Sequence, residues 1–115
     1  MTLRLCAALV LLGAVPATTG TAVATDAEPP GKQKAQACSV CHGPLGLSQT
    51  PDAPHLAGQP AVYLVRQLKA YRGGQRQHEV MNIIAKSLSD RDIEDLAQWY
   101  ASIAVSAAPS RQDAR

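Results

Sequence analysis

The chain reads as an all-α protein. No run of residues alternates apolar and polar side chains as a half-buried strand would, while two stretches carry apolar residues at helical spacing. With 115 residues there is material for one domain, and no internal repeat divides it.

The first stretch belongs to export rather than to the fold. Met1 to Arg4 make a short charged opening, and Leu5 to Val15 (LCAALVLLGAV) form an apolar run of signal-peptide type. Ala22-Val23-Ala24 is an A-x-A pattern, which predicts cleavage after Ala24. The competing reading, an uncleaved anchor, asks for ~20 apolar residues, more than this run supplies. Cys6 lies too early to be a lipoprotein cysteine and leaves with the leader. Export implies an oxidising compartment, expected to be a bacterial periplasm. The expected layout is a cleaved signal over residues 1–24, a mobile lead-in over 25–30, the folded domain over 31–104 and a disordered tail over 105–115.

Within the domain, Gly31 to Cys41 reads as a short helix following Pro30, with Ala35, Cys38 and Val40 as its apolar elements. Gly43 to Gly58 is a loop by composition, broken by Gly43-Pro44, Gly46, Pro51 and Pro54. Loops of about this length are uncommon in compact domains unless they serve a purpose, and wrapping one edge of a cofactor is such a purpose. Gln59 to Tyr71 predicts a helix, with Pro60 in its first turn and Gly73-Gly74 ending it. Ala61, Leu64, Val65, Leu68 and Tyr71 supply its buried face. Arg66, Lys69 and Arg72 fall on the other side as a solvated basic face, with a partner-docking patch as the alternative. A shorter helix is expected over Val80 to Lys86, with Met81 near its start. Ser89-Asp90-Arg91-Asp92 resembles a capping box with Asp in the fourth position. It opens a last helix whose stripe is Ile93, Leu96, Ala97, Tyr100, Ile103 and Ala104.

Composition narrows the chemistry. The chain carries 11 basic and 9 acidic residues, and loss of Arg4 with the leader brings it nearer neutrality. Nucleic acid, bound through many phosphate contacts, is therefore not an expected partner. Nor is stable membrane insertion expected once the leader is gone. Aromatic residues are few, with no Phe, one Trp and three Tyr. A domain this small buries about 60 to 65% of its unfolded surface, so something large and apolar should complete its core.

Cys38-Ser39-Val40-Cys41-His42 fits that need. It is a C-x-x-C-H motif, the spacing at which two thiols join a haem while the histidine takes the iron. On a helical turn Cys38 and Cys41 stand at i and i+3 and share a side. A disulfide between them would close too small a loop to stabilise a fold much. A thioredoxin-type pair would need a βαβ context, and a zinc site about four ligands. His55 and His78 do not provide such a set. For the second axial position, Met81 is the one methionine left after signal removal, and its sulfur would raise the iron potential relative to a second histidine. A core-filling methionine is the ordinary alternative, and His78 is the rival ligand.

At this point the chain resembles a class I cytochrome c, and among these the bacterial periplasmic group that often carries two such domains in tandem. The resemblance rests on Cys38 to Gly43, Gly46, and Pro54-His55-Leu56-Ala57-Gly58-Gln59. It continues through Tyr63-Leu64, Gln67-Leu68, Tyr71-Arg72, Gly74, Arg76, Met81 and Leu88-Ser89-Asp90. Asp92-Ile93, Asp95-Leu96-Ala97 and Trp99-Tyr100 complete it. It spans Gly31 to Ile103 and contains a single C-x-x-C-H, so a single-haem relative of the dihaem kind is implied. The implied fold is three to five short helices around one covalent haem c, with the N- and C-terminal helices crossing. The implied site has Cys38 and Cys41 as thioethers and His42 and Met81 as axial ligands. It also has the Pro54 carbonyl accepting a hydrogen bond from the His42 ring, and Gly31 permitting a close helix crossing near Trp99. His55 receives no role.

The expected function is periplasmic electron transfer, one electron at a time, between protein redox partners through an exposed haem edge. The chain thus reads as a carrier rather than an enzyme, or as a haem subunit of a larger oxidoreductase. The alternatives are a haem protein with an open iron site for peroxide or a gas, and a thiol–disulfide protein without haem.

Overall fold

The structure is a computed structural model in which residues 28–109 are described. The expected leader, its cleavage site, Cys6, residues 25–27 of the lead-in and residues 110–115 of the tail lie outside the described residues. Those described form helices and loops, with no strand among them.

The N-terminal helical stretch is broken into three parts: α1 (Pro30–Lys34), a 3₁₀ turn (Ala35–Ala37) and α2 (Ser39–His42). Pro30 opens α1, where its missing N–H would have no partner in any case. Of the apolar residues expected to hold this segment, Ala35 is buried and Cys38 half-buried. Val40 is 84% exposed, so the pattern there was misleading.

After the loop comes α3 (Ala61–Arg72), two residues later than the spacing predicts. Pro60 sits at the N-cap with extended backbone and not inside the first turn. Then follow α4 (Glu79–Lys86) and α5 (Asp90–Ser102). The capping box of α5 is complete: the Asp92 N–H donates to Ser89 Oγ at 3.1 Å, and the Ser89 N–H donates to the Asp92 carboxylate at 3.0 Å. Asp at the fourth position therefore does the work of Glu. The α5 stripe buries Ile93, Leu96, Ala97 and Tyr100. It stops there, because the helix ends at Ser102 and Ala104 is exposed.

The core lies where α1 and α3 pack on α5. It joins Ala35, Leu64, Leu96, Ala97 and Tyr100, with Leu56, Val65, Leu68 and Trp99 partly buried around them. Among the described residues four of the eight buried hydrophobic ones are alanines, so little apolar area comes from their side chains alone. The α1–α5 crossing depends on Gly31. A Cβ there would run into the Asp95 backbone carbonyl and lie 2.7 Å from Trp99 Cβ. Charge closes the same crossing, since Lys34 Nζ lies 2.7 Å from both Asp92 Oδ1 and Asp95 Oδ2. These contacts hold both carboxyls below, and the Lys34 ammonium above, their ordinary ranges.

Candidate functional site

A cavity of about 450 Å³ opens beside this small core, within the size range of small-molecule and cofactor sites. Cys38, Cys41, His42 and Met81 all line it, as do the apolar side chains of Leu64, Leu68, Leu96 and Ala97. Residues 43 apart in the chain, Cys38 and Met81, thus meet at one space, because α4 packs on α3 while α3 and α1, which leads into α2, both pack on α5.

His42 is the most firmly placed of the four. It ends α2, is 8% exposed, and its Nδ1 lies 2.9 Å from the Pro54 carbonyl oxygen. A carbonyl can only accept, so Nδ1 carries the proton and Nε2 keeps its lone pair. Such a partner fixes the tautomer and strengthens a metal–imidazole bond. The resemblance implied this hydrogen bond, and the structure contains it.

The loop that brings Pro54 there is itself anchored at several points. Ser48 Oγ and Thr50 Oγ1 donate to the Cys41 carbonyl at 3.0 and 3.1 Å. The Leu56 N–H donates to the Gly46 carbonyl at 2.7 Å, and the Gly58 N–H to the Tyr100 carbonyl at 2.9 Å. Gly46 has φ +73°, and a Cβ on it would lie 2.7 Å from the Tyr100 ring, so a larger residue would be both strained and obstructed there. The long loop expected to wrap one edge of a cofactor is thus tied to α2 and to α5, and it does line the cavity.

Cys38 and Cys41 are unpaired thiols. Burial pushes the Cys38 thiol up, only partly offset by the Tyr100 hydroxyl. A redox-active dithiol needs the reverse, a depressed thiol that attacks as thiolate, so this environment disfavours thiol–disulfide exchange. Among the described residues no three His, Cys, Asp or Glu side chains converge on a metal-sized point, which disfavours zinc. The Tyr100 hydroxyl is buried beside the Cys38 thiol, and burial pushes its ionisation well up.

Met81 is in the first turn of α4, half-buried. His78, its rival as a ligand, also lines the cavity, but it serves as the N-cap of α4. Its Nδ1 accepts from the Met81 N–H at 3.3 Å, and its ring meets Tyr71 edge-on at 6.4 Å between centroids. Met81 carries no such structural duty. His55 lines the cavity but is exposed, and among the described residues no hydrogen bond or ion pair distinguishes it.

One positioning residue was not found by sequence reasoning. Asn82 Nδ2 donates to the Tyr71 carbonyl at 2.6 Å and to the Arg76 carbonyl at 2.8 Å, while its Oδ1 accepts from the His78 N–H at 2.6 Å. It staples the segment between α3 and α4, and so sets where Met81 begins. The available signal was an Asn inside a helical stretch, where its side chain competes for backbone groups and weakens the helix.

The donor set fits a covalently held haem: two thiols i and i+3 apart, an imidazole with a free Nε2, a thioether from a distant segment, and a largely apolar cavity in a core otherwise short of apolar bulk.

Comparison with known proteins agrees. The family model described as cytochrome c matches residues 29–104. The cytochrome c-554(548) of Halomonas halodenitrificans is 44% identical over 75 residues, covering 63% of this chain and 90% of that protein. A thiosulfate dehydrogenase electron acceptor of Stutzerimonas stutzeri is 39% identical over 69 residues, 57% of this chain and 32% of that one. Among solved structures, reduced recombinant cytochrome c4 from Pseudomonas stutzeri superposes with a TM-score of 0.62 at 35% identity, covering 66% of this chain and 45% of that one. The chain therefore spans most of the first relative but under half the length of the other two.

Proposed function

We propose that this chain, which belongs to the cytochrome c family, passes single electrons through a haem c held by Cys38, Cys41, His42 and Met81. Membership makes it a class I cytochrome c related to the cytochromes c4, an electron-transfer protein with one covalently attached haem that works with protein redox partners.

In that reading the Cys38 and Cys41 sulfurs would hold the haem covalently, and His42 Nε2 and Met81 Sδ would ligate its iron. The observation that carries it is the pairing of His42 Nδ1 with the Pro54 carbonyl at 2.9 Å, which leaves Nε2 as the ring's donor atom in a cavity that Met81 also lines. Haem supplies the one-electron couple, and a thioether ligand favours its ferrous state relative to a second imidazole. Two protein ligands on the iron would leave it no site for a substrate, which favours a carrier over an enzyme acting on peroxide or a gas. The Pro54 carbonyl holds the imidazole in one orientation. Leu64, Leu68 and Leu96 keep water from the buried face of the cavity.

The layout we propose is a signal peptide over residues 1–24, cleaved on export to the periplasm, a lead-in over 25–30, the haem domain over 31–104 and a tail over 105–115. Among the described residues no helix is long and apolar enough to cross a membrane. The relative described as an electron acceptor of thiosulfate dehydrogenase favours a second reading, a haem subunit that serves a larger oxidoreductase.

The exported, purified protein should weigh one haem more than the chain from Thr25 onward and show a c-type reduced-minus-oxidised spectrum. Met81→Ala should abolish the sulfur–iron charge-transfer band and lower the potential while the haem stays attached. A band that survives that substitution would remove Met81 from the iron.

A further inference from the structure

The two thiols of the C-x-x-C-H turn stand in different surroundings. Cys41 is exposed, whereas Cys38 is half-buried with the Tyr100 hydroxyl beside its thiol. Cys38 and Tyr100 both line the cavity. Tyr100 is 3% exposed, and among the described residues no nitrogen or oxygen partners its hydroxyl.

The ring that carries this hydroxyl is held in place by loop backbone. A Cβ on Gly46 would lie 2.7 Å from Tyr100 Cδ1 and 2.8 Å from Cε1, so the glycine packs directly on one edge of the ring. Gly46 is itself fixed, since its carbonyl accepts from the Leu56 and Ala57 N–H groups at 2.7 and 3.1 Å. The Gly58 N–H, donating to the Tyr100 carbonyl at 2.9 Å, ties the same loop to α5. Cys38 is held as well: its N–H donates to the Ala35 carbonyl, and its own carbonyl accepts from the His42 N–H, each at 3.0 Å. Two anchored segments thus bring one hydroxyl to one sulfur.

A buried hydroxyl keeps its desolvation cost unless it finds a partner. A sulfur bonded to carbon on both sides has no proton and can only accept. On the proposed reading that haem is attached here, the Cys38 sulfur is therefore the acceptor within reach of the Tyr100 O–H.

We infer that Tyr100 is a positioning residue for the haem, donating a hydrogen bond to the Cys38 sulfur and thereby raising the reduction potential. Hydrogen bonds to the atoms that hold a metal centre tune its potential. The sign follows from charge. A donor at the sulfur draws electron density from the attached ring, and this disfavours the ferric state, which carries one positive charge more than the ferrous. The effect belongs to one attachment of the two, because Cys41 faces solvent.

Tyr100→Phe removes the hydroxyl and keeps the ring, so the packing against Gly46 survives. In the haem-loaded variant one component of the carbon–sulfur stretching band in the resonance Raman spectrum should shift. The potential should fall while the sulfur–iron band persists. In the ferrous wild-type protein the Tyr100 hydroxyl proton should give a slowly exchanging resonance with nuclear Overhauser contacts to the Cys38 β protons. This measurement decides the matter even if the variant fails to mature. A haem-loaded wild-type protein without those contacts overturns the inference. So does a Tyr100→Phe protein whose carbon–sulfur band or potential equals the parent's. Failure of the haem reading itself would show first and separately, as a mass without haem.

Discussion

The two sides of the cavity are built to different standards. On the His42 side, the imidazole is almost fully buried and bound to a loop carbonyl. Behind it the α1–α5 crossing combines backbone contact at Gly31 with a lysine shared between two carboxylates. On the Met81 side, α4 rests mainly on α3, with Ile83 73% exposed and Ala85 its one buried residue. What fixes that side is largely the amide of Asn82. Apolar contact and buried hydrogen bonds resist local opening, whereas a short helix with few buried groups opens at lower free energy than the whole fold. The imidazole side should therefore behave as part of the global structure, and the thioether side as a strap that loosens on its own.

The sharpest way to break this contrast is at Gly31. Gly31→Val would push a branched side chain into the Asp95 carbonyl and Trp99, and should cost about 3 kcal/mol, the upper end of ordinary overpacking. Denaturant unfolding of the haem-loaded protein should show it, with the sulfur–iron band disappearing in the same transition as the fold. An unchanged midpoint would mean the crossing is not where global stability resides.

A smaller and differently shaped effect is expected at the strap. Asn82→Ala removes three hydrogen bonds, each worth about 1 kcal/mol net where buried. With this side chain half-exposed, water recovers part of that, leaving roughly 1 to 2 kcal/mol. The loss should appear as faster hydrogen exchange in α4 and earlier fading of the sulfur–iron band than of helicity. Equal protection of α4 in variant and parent would refute the strap.

The mildest perturbation is pH. Asp92 and Asp95 are depressed, chiefly by hydrogen bonds from Lys34. A depressed carboxyl contributes stability that is complete above its unfolded value, near pH 4, and that fades as pH falls through the folded value. The raised Lys34 has the opposite sign: its contribution is complete below the usual lysine range and lost as pH rises through the folded value. All three groups are solvent-accessible, so the effect is modest and weakens with salt. Lys34→Met should flatten the acid limb of the stability profile below pH 4. An acid limb that stays as steep would assign it to other carboxylates.

Much of the fold was legible because it is written in short-range patterns. The stripe of α5, its Ser89–Asp92 box and the C-x-x-C-H turn are all set within four residues, where helical geometry alone brings side chains together. Errors arose where a local pattern competed with surroundings it could not see. Val40 looked like an apolar anchor but faces outward on a four-residue helix. Pro60 fits a first turn equally well as it fits the N-cap it occupies. The separate duties of His78 and Met81 were not separable in the chain either, since what occupies His78 is the start of α4 together with the Tyr71 ring.

By itself, then, the sequence determined an all-α domain, the haem-attachment motif and the identity of the candidate ligands, because those depend on spacing and residue chemistry. Only the tertiary structure decided which side chains are bound to structural duties and which are left free. Lys34 meets Asp95 across 61 residues, Asn82 reaches back to Tyr71, and Arg72 reaches forward to Asp90. The distinctions at Lys34, Asn82 and Arg72 follow from which distant groups the packing brings within about 3 Å of one another, the range at which hydrogen bonds form.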